Sequence, residues 1–258
     1  MTHILITNDD GIHAPGLLAL AQAMQPLGKI TVVAPDRNWS MCGHVKTLFT
    51  PLKVQQVTLD ENILALAVSG APSDCVAISL MGMLADKVDL VVSGINPYPN
   101  LGHDLTYSGT VTAAMEGVIN GLPAVAVSLA GPHHDQQHSP VDYHPAAAIA
   151  HNVVKRVLQY GLPADTLLNV NVPCLPLDKL GGYRITRQGK RVYLDKLLPA
   201  EAGLAEYQIG GDPPHGEPED GTDFGALAEG CVSIQPVHLD MTAYHFMDTL
   251  RAWDWKDF

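Results

Sequence analysis

The chain has 258 residues, of which 47% are hydrophobic, so it is long enough for one sizeable core or for a core with an appendage. Its formal net charge is −12 and it has no basic stripe, which argues against binding to a long nucleic acid. It contains no apolar run of the ~18 residues that a membrane helix needs, no signal-peptide pattern and no CxxC pair among its cysteines, so we expect free thiols, a cytoplasmic location and no membrane partner.

The first predicted strand, residues 3–7, ends abruptly at Asn8-Asp9-Asp10-Gly11. Helix signals follow at once, with Pro15 and then apolar residues at helical spacing. Ligands bind at the carboxyl ends of the strands in an open parallel sheet, and two adjacent carboxylates there repel each other unless a cation lies between them. We therefore expect a divalent metal at Asp9 and Asp10, although adjacent aspartates after a strand also occur as a plain turn with a helix cap.

Strands and helices alternate over the first two thirds of the chain. Amphipathic segments that predict helices lie between apolar segments that predict strands. This order indicates an α/β fold, a Rossmann-like, doubly wound and mainly parallel sheet. The further predicted strands are residues 30–34, 64–68, 88–93, 124–129 and 167–172, and the further predicted helices are residues 72–84, 111–119 and 149–158.

Polar residues follow several of these strands and should face the same rim as Asp9 and Asp10. Ser40 and Asn96 are neutral oxygen donors, which suit a hard cation such as Mg²⁺ or Mn²⁺. Residues 108–110, Ser-Gly-Thr, place hydroxyls and free amides at a helix start, which suits a phosphate, although Ser108 and Thr110 are also ordinary N-caps. An acid pair, oxygen donors and an anion site together indicate metal-assisted chemistry on a phosphate ester.

The composition changes after about residue 173. Residues 183–186 and 191–194 flank a glycine turn and predict a hairpin, residues 210–221 predict a loop, and a strand at 231–235 and a helix at 242–253 follow. This part has too few apolar residues for a core of its own. We expect one domain over residues 1–258, with a core of about 1–175 and a C-terminal hairpin and helix extension of about 176–258 that packs on the core or on another subunit.

A histidine cluster after the fifth predicted strand invites a metal assignment. The spacing HHxxxH matches no firm ligand template, and the cluster lies among Gly, Gln, Ser and Pro. We therefore predict an exposed loop at His133, His134 and His138.

Taken together, these stretches resemble the survival protein SurE family of metal-dependent nucleotidases, over essentially the whole chain. Each motif alone is modest, but their order and spacing make a specific signal. The motifs are TNDDG from residue 7, APDRNWS from 34, SGIN from 93 followed by NLG from 100, YSGTV from 107 with AAMEG from 113, LNVNVP from 168, RITRQG from 184 and GTDF from 221.

The resemblance implies a phosphoric monoester hydrolase that acts on nucleoside 5′- and 3′-monophosphates, with short polyphosphate as a further substrate. It also implies one divalent metal ion per subunit, Mg²⁺ or Mn²⁺, and a homodimer or homotetramer built through an exchanged C-terminal segment. By motif, the implied metal ligands are Asp9, Asp10, Ser40 and Asn96, with Asp9 and Asp10 catalytic, and the implied substrate and phosphate contacts are Asn96, Asn100, Ser108, Gly109 and Thr110.

Three residues depart from the family pattern beside these positions. Met41 and Tyr98 stand where the family usually has glycine, and His103 stands where it often has an acid. If the backbone at residue 98 needs a positive φ, Tyr98 carries strain or the loop between Pro97 and Pro99 has been rebuilt. Tyr98 is a candidate base contact, or an obstruction to one. These departures support the alternative of a non-catalytic nucleotide-binding or regulatory protein on the same scaffold.

Overall fold

The first two thirds of the chain build a sheet with helices on both of its faces. The computed structural model describes residues 1–131, 141–199 and 207–255, so the predicted loop at His133, His134 and His138 lies outside the described residues. No helix of the described ranges is long and apolar enough to cross a membrane. The four cysteines are free thiols.

Within the described residues, the larger sheet has nine strands in the order β3-β4-β2-β1-β5-β6-β7-β11-β8. The six strands from β4 to β7 are parallel, whereas β3 and β11 pair antiparallel with β4 and β7. This confirms the predicted α/β fold with a mainly parallel sheet. The strands are β1 (His3–Thr7), β2 (Lys29–Pro35), β3 (Val54–Asp60), β4 (Ile63–Val68), β5 (Leu90–Asn96), β6 (Ala124–Ala130), β7 (Thr166–Pro173), β8 (Tyr183–Ile185), β9 (Arg191–Pro199), β10 (Tyr207–Gly216) and β11 (Val232–His238).

Two hydrophobic clusters, one on each face of the sheet, hold the helices. Ile4 and Ile6 of β1 belong to one cluster and Leu5 to the other, because successive side chains of a strand point to opposite faces. α1 and α4 pack on the Ile4 face, and α2 and α3 on the Leu5 face. The helices are α1 (Pro15–Met24), α2 (Pro72–Ile78), α3 (Gly109–Ile119), α4 (His144–Tyr160), α5 (Asp223–Ala228) and α6 (Tyr244–Arg251).

The chain reverses its direction of progress across the sheet between β1 and β5. After β1 it builds β2, β3 and β4 on one side, and it then returns to place β5 on the other side. β1 and β5 are parallel neighbours, with Thr7 opposite Ser93. Loops that leave two such strands diverge and open a crevice at their carboxyl ends, the usual ligand position in this class of fold. We call this crevice the switch point; residues 8–14 and 97–101 border it.

The predicted hairpin of residues 183–186 and 191–194 is wrong. β8 pairs in parallel with β11, whereas β9 pairs antiparallel with β10, so the glycine turn joins two different sheets. The backbone of this turn forms hydrogen bonds with residues far along the chain, since the Arg187 N–H donates to the Gly221 carbonyl oxygen (2.9 Å). Turn residues between two apolar stretches predict a hairpin only when both strands lack better partners, and here each has one.

The predicted loop at residues 210–221 is also partly wrong, because its first part belongs to β10. Glycine and proline lower strand propensity, but pairing with β9 satisfies the backbone around them. The register shifts between Asp212 and His215, so the two prolines between them sit in an irregularity of the ladder.

Candidate active site

The loop after β1 carries two carboxylates and is braced by its own asparagine. Asn8 is buried, its amide nitrogen donates to the Gly11 carbonyl oxygen (3.1 Å), and its Oδ1 accepts the Gly11 N–H (3.2 Å). These bonds close a tight turn in which Asp9 is buried and Asp10 is half-buried. The turn thus holds both carboxylates beside the switch point.

Asp9 and Asp10 share surroundings that disfavour negative charge. Neither forms an ion pair with any residue in the described ranges. Burial raises the pKa of Asp9, against a hydrogen bond from Thr110 that lowers it. Burial also raises the pKa of Asp10 to about 7, and the charge of Asp9 adds to that rise. A divalent cation fits here, because it would offset both the burial and the mutual repulsion.

The amino end of α3 lies directly against Asp9. Thr110 Oγ1 donates to Asp9 Oδ1 over 2.5 Å. A Cβ added at Gly109 would come within 2.6 Å of the Asp9 Cβ, so glycine permits this close approach of helix and loop. The anion at this helix end is therefore the Asp9 carboxylate, which the positive end of the helix dipole stabilises.

Two of the three residues predicted to bind phosphate at this helix end have hydrogen-bond partners in the protein already. Ser108 is the N-cap of α3, since its Oγ accepts the Val111 N–H (3.1 Å), as its alternative interpretation predicted. Thr110 bonds to Asp9. Ser108 keeps its hydroxyl hydrogen as a donor. Phosphate binding by Ser108, Gly109 and Thr110 stays a prediction. The structure shows in addition that Gly109 and Thr110 help to position Asp9.

Ser40 lies on an irregular segment, residues 36–53, that crosses the carboxyl ends of β1 and β2; we call it the strap. The Trp39 N–H donates to the Asp9 carbonyl oxygen (2.7 Å), which ties the strap to the aspartate loop one residue before Ser40. The Ser40 N–H donates to Asn38 Oδ1 (2.7 Å), and the residue is exposed. The strap therefore brings the Ser40 backbone to the same rim as the carboxylates.

The two asparagines of the predicted substrate site differ in their surroundings. Asn96 ends β5 at the switch point, and its amide nitrogen donates to the Tyr98 carbonyl oxygen (2.7 Å). Asn100 is buried and its amide nitrogen donates to Ser128 Oγ (2.7 Å), while its backbone N–H donates to Asn171 Oδ1 (2.8 Å). Asn100 therefore forms its hydrogen bonds inside the protein, and its contact with substrate stays a prediction.

The residues that depart from the family pattern have distinct local structures. Tyr98 does not have a positive φ, so the loop between its two prolines is built for a non-glycine residue. Met41 instead has a φ of 60°, in the left-handed region. His103 is exposed on a 3₁₀ turn and does not contact the aspartates through any hydrogen bond that the structure describes.

Sequence reasoning missed one residue at this rim, Tyr143. It is the N-cap of α4, and its ring packs against the backbone of Gly16. Burial raises the pKa of Tyr143 to about 12, and the neighbouring Asp10 and Tyr98 add to that rise. No motif marks Tyr143, because 133 residues of chain separate it from Asp10 and only the packing of α1 on α4 brings the two together.

The donor chemistry at the rim limits the kind of metal site. Within the described ranges, no group of three or more His, Cys, Asp or Glu residues is placed to hold an ion. Two carboxylates with neutral oxygen donors, the set that Asp9, Asp10, Ser40 and Asn96 offer, suit a hard cation that keeps part of its water shell. The residues therefore fit Mg²⁺ or Mn²⁺ better than zinc.

Comparison with known proteins identifies a family for this chain. The family model described as Survival protein SurE matches residues 4–195. A 5′-nucleotidase SurE of Herpetosiphon aurantiacus is 46% identical over 99% of this chain and 99% of its own length. The 5′-nucleotidase SurE of Geobacter sulfurreducens is 48% identical over 98% of this chain and 94% of its own. The crystal structure of the SurE protein from Aquifex aeolicus has a TM-score of 0.81 and 39% identity, over 96% of this chain and 98% of that one.

Proposed function

This chain belongs to the survival protein SurE family, and from that premise we propose that it is a phosphoric monoester hydrolase that converts nucleoside 5′-monophosphates to nucleoside and phosphate. The observation that carries the proposal is the acid pair Asp9 and Asp10, which lies at the switch point and has no cationic partner among the described residues. Relatives that match almost the whole chain are named 5′-nucleotidases. Activity on 3′-monophosphates and short polyphosphate belongs to the same proposal.

One divalent ion per subunit, Mg²⁺ or Mn²⁺, would be held by Asp9, Asp10, Ser40 and Asn96. When bound, it supplies charge neutralisation on the phosphate and a lowered pKa for the attacking water. The support for this ligand set is the charge of the acid pair, its lack of a cationic partner in the described residues, and the oxygen donors on the same rim.

The protein's own residues prepare the reaction around that ion. Thr110 fixes one oxygen of the Asp9 carboxylate and so holds the group in place. The substrate phosphate lies against Ser108, Gly109 and Thr110, where helix amides and the Ser108 hydroxyl donate to it. Water adds to phosphorus as the ester P–O bond breaks, and the departing nucleoside oxygen takes a proton. Direct attack by Asp9 or Asp10 is the alternative route.

We propose that Tyr98 contacts the nucleobase. It is half-buried on the loop that Asn96 braces, and Tyr143 lies nearby on the same rim. A stacked base contributes binding energy in both the ground state and the transition state, so its loss raises KM more than it lowers kcat. Tyr98→Gly should raise KM for nucleotides about tenfold and leave kcat and tripolyphosphate hydrolysis near the wild-type values. Faster nucleotide hydrolysis in this variant would mean that the ring obstructs the crevice.

A phosphatase screen tests the function itself. Nucleoside 5′- and 3′-monophosphates, tripolyphosphate and an aryl phosphate are assayed with Mg²⁺, Mn²⁺ or Co²⁺ and with EDTA. We expect metal-dependent hydrolysis of the nucleotides, and a loss of about a hundredfold or more in kcat for Asp9→Asn and Asp10→Asn, the size that follows the loss of one preorganised electrostatic group. Asp36→Asn is the matched control, since Asp36 lies on the same rim but pairs with Arg37.

The same screen separates the enzyme from the non-catalytic alternative. A nucleotide-binding or regulatory protein would bind a nucleoside monophosphate in calorimetry and release no phosphate with any of the three metals. Wild-type rates in both aspartate variants after EDTA treatment and Mn²⁺ restoration would refute the site assignment. The comparisons do not favour the non-catalytic alternative, because the relatives are named as nucleotidases.

Assembly and location complete the proposal. The extension of residues 176–258 joins subunits into a homodimer or homotetramer, which the exposed apolar side chains of β9, β10 and α6 support. A cytoplasmic location is supported by the free thiols. The acidic net charge supports a small nucleotide held by a metal, and not a long nucleic acid, as the partner.

A further inference from the structure

Three family motifs have no place in the site described above, yet all three converge on one segment. LNVNVP lies in β7, RITRQG spans β8 and the turn after it, and GTDF begins α5. LNVNVP and GTDF contribute hydrogen bonds to residues 100–106, and the Gly189 backbone of RITRQG lies close to Gly102. Residues 100–106 include the NLG motif and a 3₁₀ turn (Gly102–Thr106). This segment runs directly into the amino end of α3.

Asp223 of the GTDF motif bonds to two distant backbone segments at once. Its Oδ2 accepts the Gly102 N–H (2.8 Å), and its Oδ1 accepts the Gly189 N–H (2.9 Å) as well as the N–H of Phe224 (2.9 Å). The residue is 0% exposed and forms no ion pair within the described ranges. A Cβ at Gly189 would lie 2.5 Å from Asp223 Oδ1, so the close approach depends on that glycine.

Two asparagines of β7 hold the same segment from the other side. Asn171 Oδ1 accepts the Asn100 N–H (2.8 Å), and Asn171 Nδ2 donates to the Asn100 carbonyl oxygen (3.0 Å). Asn169 Nδ2 donates to that same oxygen (2.9 Å). All three asparagines are buried. Buried polar groups with several partners specify one arrangement of the chain, because each lost bond leaves an unsatisfied group.

The fixed segment sets where α3 begins. The N–H groups of Tyr107 and Ser108 both donate to the Asp104 carbonyl oxygen (3.0 Å each), so the end of the 3₁₀ turn passes directly into the N-cap of α3. Beyond that cap, Thr110 holds the Asp9 carboxylate. A shift of residues 100–106 would therefore move the amides and hydroxyls that face the phosphate.

We propose that Asp223, together with Asn171, is a positioning residue for phosphate binding, which it controls by fixing residues 100–106 and thus the amino end of α3. This inference rests on the proposed function, and it gives a role to side chains that lie outside the crevice. The competing explanation is that Asp223 only stabilises the fold around α5.

The test compares Asp223→Asn with Thr222→Ala. A carboxamide has one acceptor oxygen and cannot serve both Gly102 and Gly189. Thr222 is equally buried and adjacent, but among the described residues its hydroxyl hydrogen-bonds only to Glu219, in the turn before α5, and to Gly225, inside α5. Both variants are assayed where circular dichroism shows them fully folded, with inorganic phosphate binding to the Mn²⁺-loaded protein measured by calorimetry and with KM and kcat for a nucleoside monophosphate.

We expect Asp223→Asn to weaken phosphate binding and raise KM by about 10- to 100-fold, the range that a shift of roughly 1 Å in a site produces, and Thr222→Ala to match the wild type. A wild-type phosphate Kd in Asp223→Asn, or equal weakening in both variants, overturns the inference. If Asp223→Asn does not fold, Asn171→Ala is judged in the same way. Wild-type protein that neither binds phosphate nor hydrolyses nucleotides refutes the proposed function and this inference together, whereas an active wild type with an unchanged variant refutes this inference alone.

Discussion

At the scale of single residues, Asp9 links the loop after β1 to the amino end of α3. The sequence placed a carboxylate on one loop and an anion site at the start of α3, and folding brings them together through the Thr110 hydroxyl. The amides predicted for phosphate thus already face an anion. The aspartate loop and the amino end of α3 therefore form one structural unit.

Met41 carries local strain beside Ser40. Its φ of 60° lies in the region that costs a non-glycine residue about 1–2 kcal/mol, and its side chain is 74% exposed, so little packing offsets that cost. Met41→Gly removes the strain but adds the entropy of glycine to the unfolded chain, about 0.5–1 kcal/mol. We expect a net gain of about 0.5–1 kcal/mol in the free energy of unfolding, measured by urea titration in EDTA.

The control for this prediction is Met41→Ala, which keeps a Cβ and therefore the strain. It should leave the free energy of unfolding close to that of the wild type. Equal stabilities of the alanine and glycine variants would show that the backbone conformation at residue 41 costs nothing.

The residues that sequence predicted well are those whose role is set by their immediate neighbours. Asp9 and Asp10 follow a strand directly, so their position at its carboxyl end could be read from the chain. Asn100 and Tyr143 depend on contacts with β7 and with α1, from distant parts of the sequence. A motif match marked Asn100 without revealing that it is buried, and nothing marked Tyr143.

At the scale of elements, the buried parallel strands were the easiest to predict. Their unbroken apolar runs leave little alternative, and the predicted strands at residues 3–7, 30–34, 64–68 and 124–129 lie within β1, β2, β4 and β6. β3 was missed because it is an edge strand with mainly exposed side chains and little apolar pattern. The predicted pairing of the C-terminal strands was wrong for a different reason. Contacts between distant parts of the chain determine which strands pair, and the residues of a turn carry no information about those contacts.

The strap is an element without regular structure that buried carboxylates hold in place. Glu116 of α3 is buried and accepts from His44 Nε2 (3.1 Å) and Lys46 Nζ (2.9 Å). Asp74 of α2 accepts the Thr47 N–H and hydroxyl, both at 2.7 Å. The position of the strap that carries Ser40 therefore depends on two helices on one face of the sheet.

This arrangement predicts a pH-dependent stability. Burial by itself would raise the pKa of Glu116, but the bonds from His44 and Lys46 outweigh it and the pKa lies below its usual value. A depressed pKa means that Glu116 contributes stability above the pKa of an unfolded glutamate, about 4.3, and that this contribution disappears as the pH falls through the folded value. Glu116→Gln should cost about 1–2 kcal/mol at pH 7.

The difference between wild type and Glu116→Gln should then shrink as the pH is lowered from about 5 to 3. Urea titrations across this range measure it. The control is Glu217→Gln, which breaks an exposed pair with Lys190 and should change the free energy of unfolding little at any pH. A difference that stays constant from pH 7 to 3 would contradict the role given to the charge of Glu116.

At the scale of the whole molecule, the C-terminal extension leaves apolar surface uncovered. Leu197, Tyr207 and Ile209 lie on one face of the β9–β10 ladder, with Leu197 opposite Ile209, and they are 68%, 66% and 78% exposed. α6 has no buried residue, and its Phe246 is exposed, as are Trp253 and Trp255, which follow the helix. Monomeric proteins rarely expose apolar groups gathered in this way, and such surfaces usually mark an interface.

The first residues of β9 contact the segment that leads into the crevice. Arg191 Nε lies 3.2 Å from Asp104 Oδ2, and the Tyr193 hydroxyl donates to Asp104 Oδ1 (2.8 Å). Asp104 in turn belongs to the 3₁₀ turn that precedes α3. A subunit that covers the apolar face would thus also restrain the segment that leads into the phosphate-facing helix end, and assembly and catalysis would share one structural element.

A charge on the apolar face tests whether another subunit covers it. We expect sedimentation of the wild type at micromolar concentration to show a dimer or tetramer of the 27.6 kDa chain, and Ile209→Lys to shift it toward monomer, because a lysine buried in an interface must lose its hydration. Gln208→Lys is the control, since successive residues of a strand face opposite sides and residue 208 lies on the other face. A compact wild-type monomer, or equal dissociation by both lysines, would rule out this face as the contact between subunits.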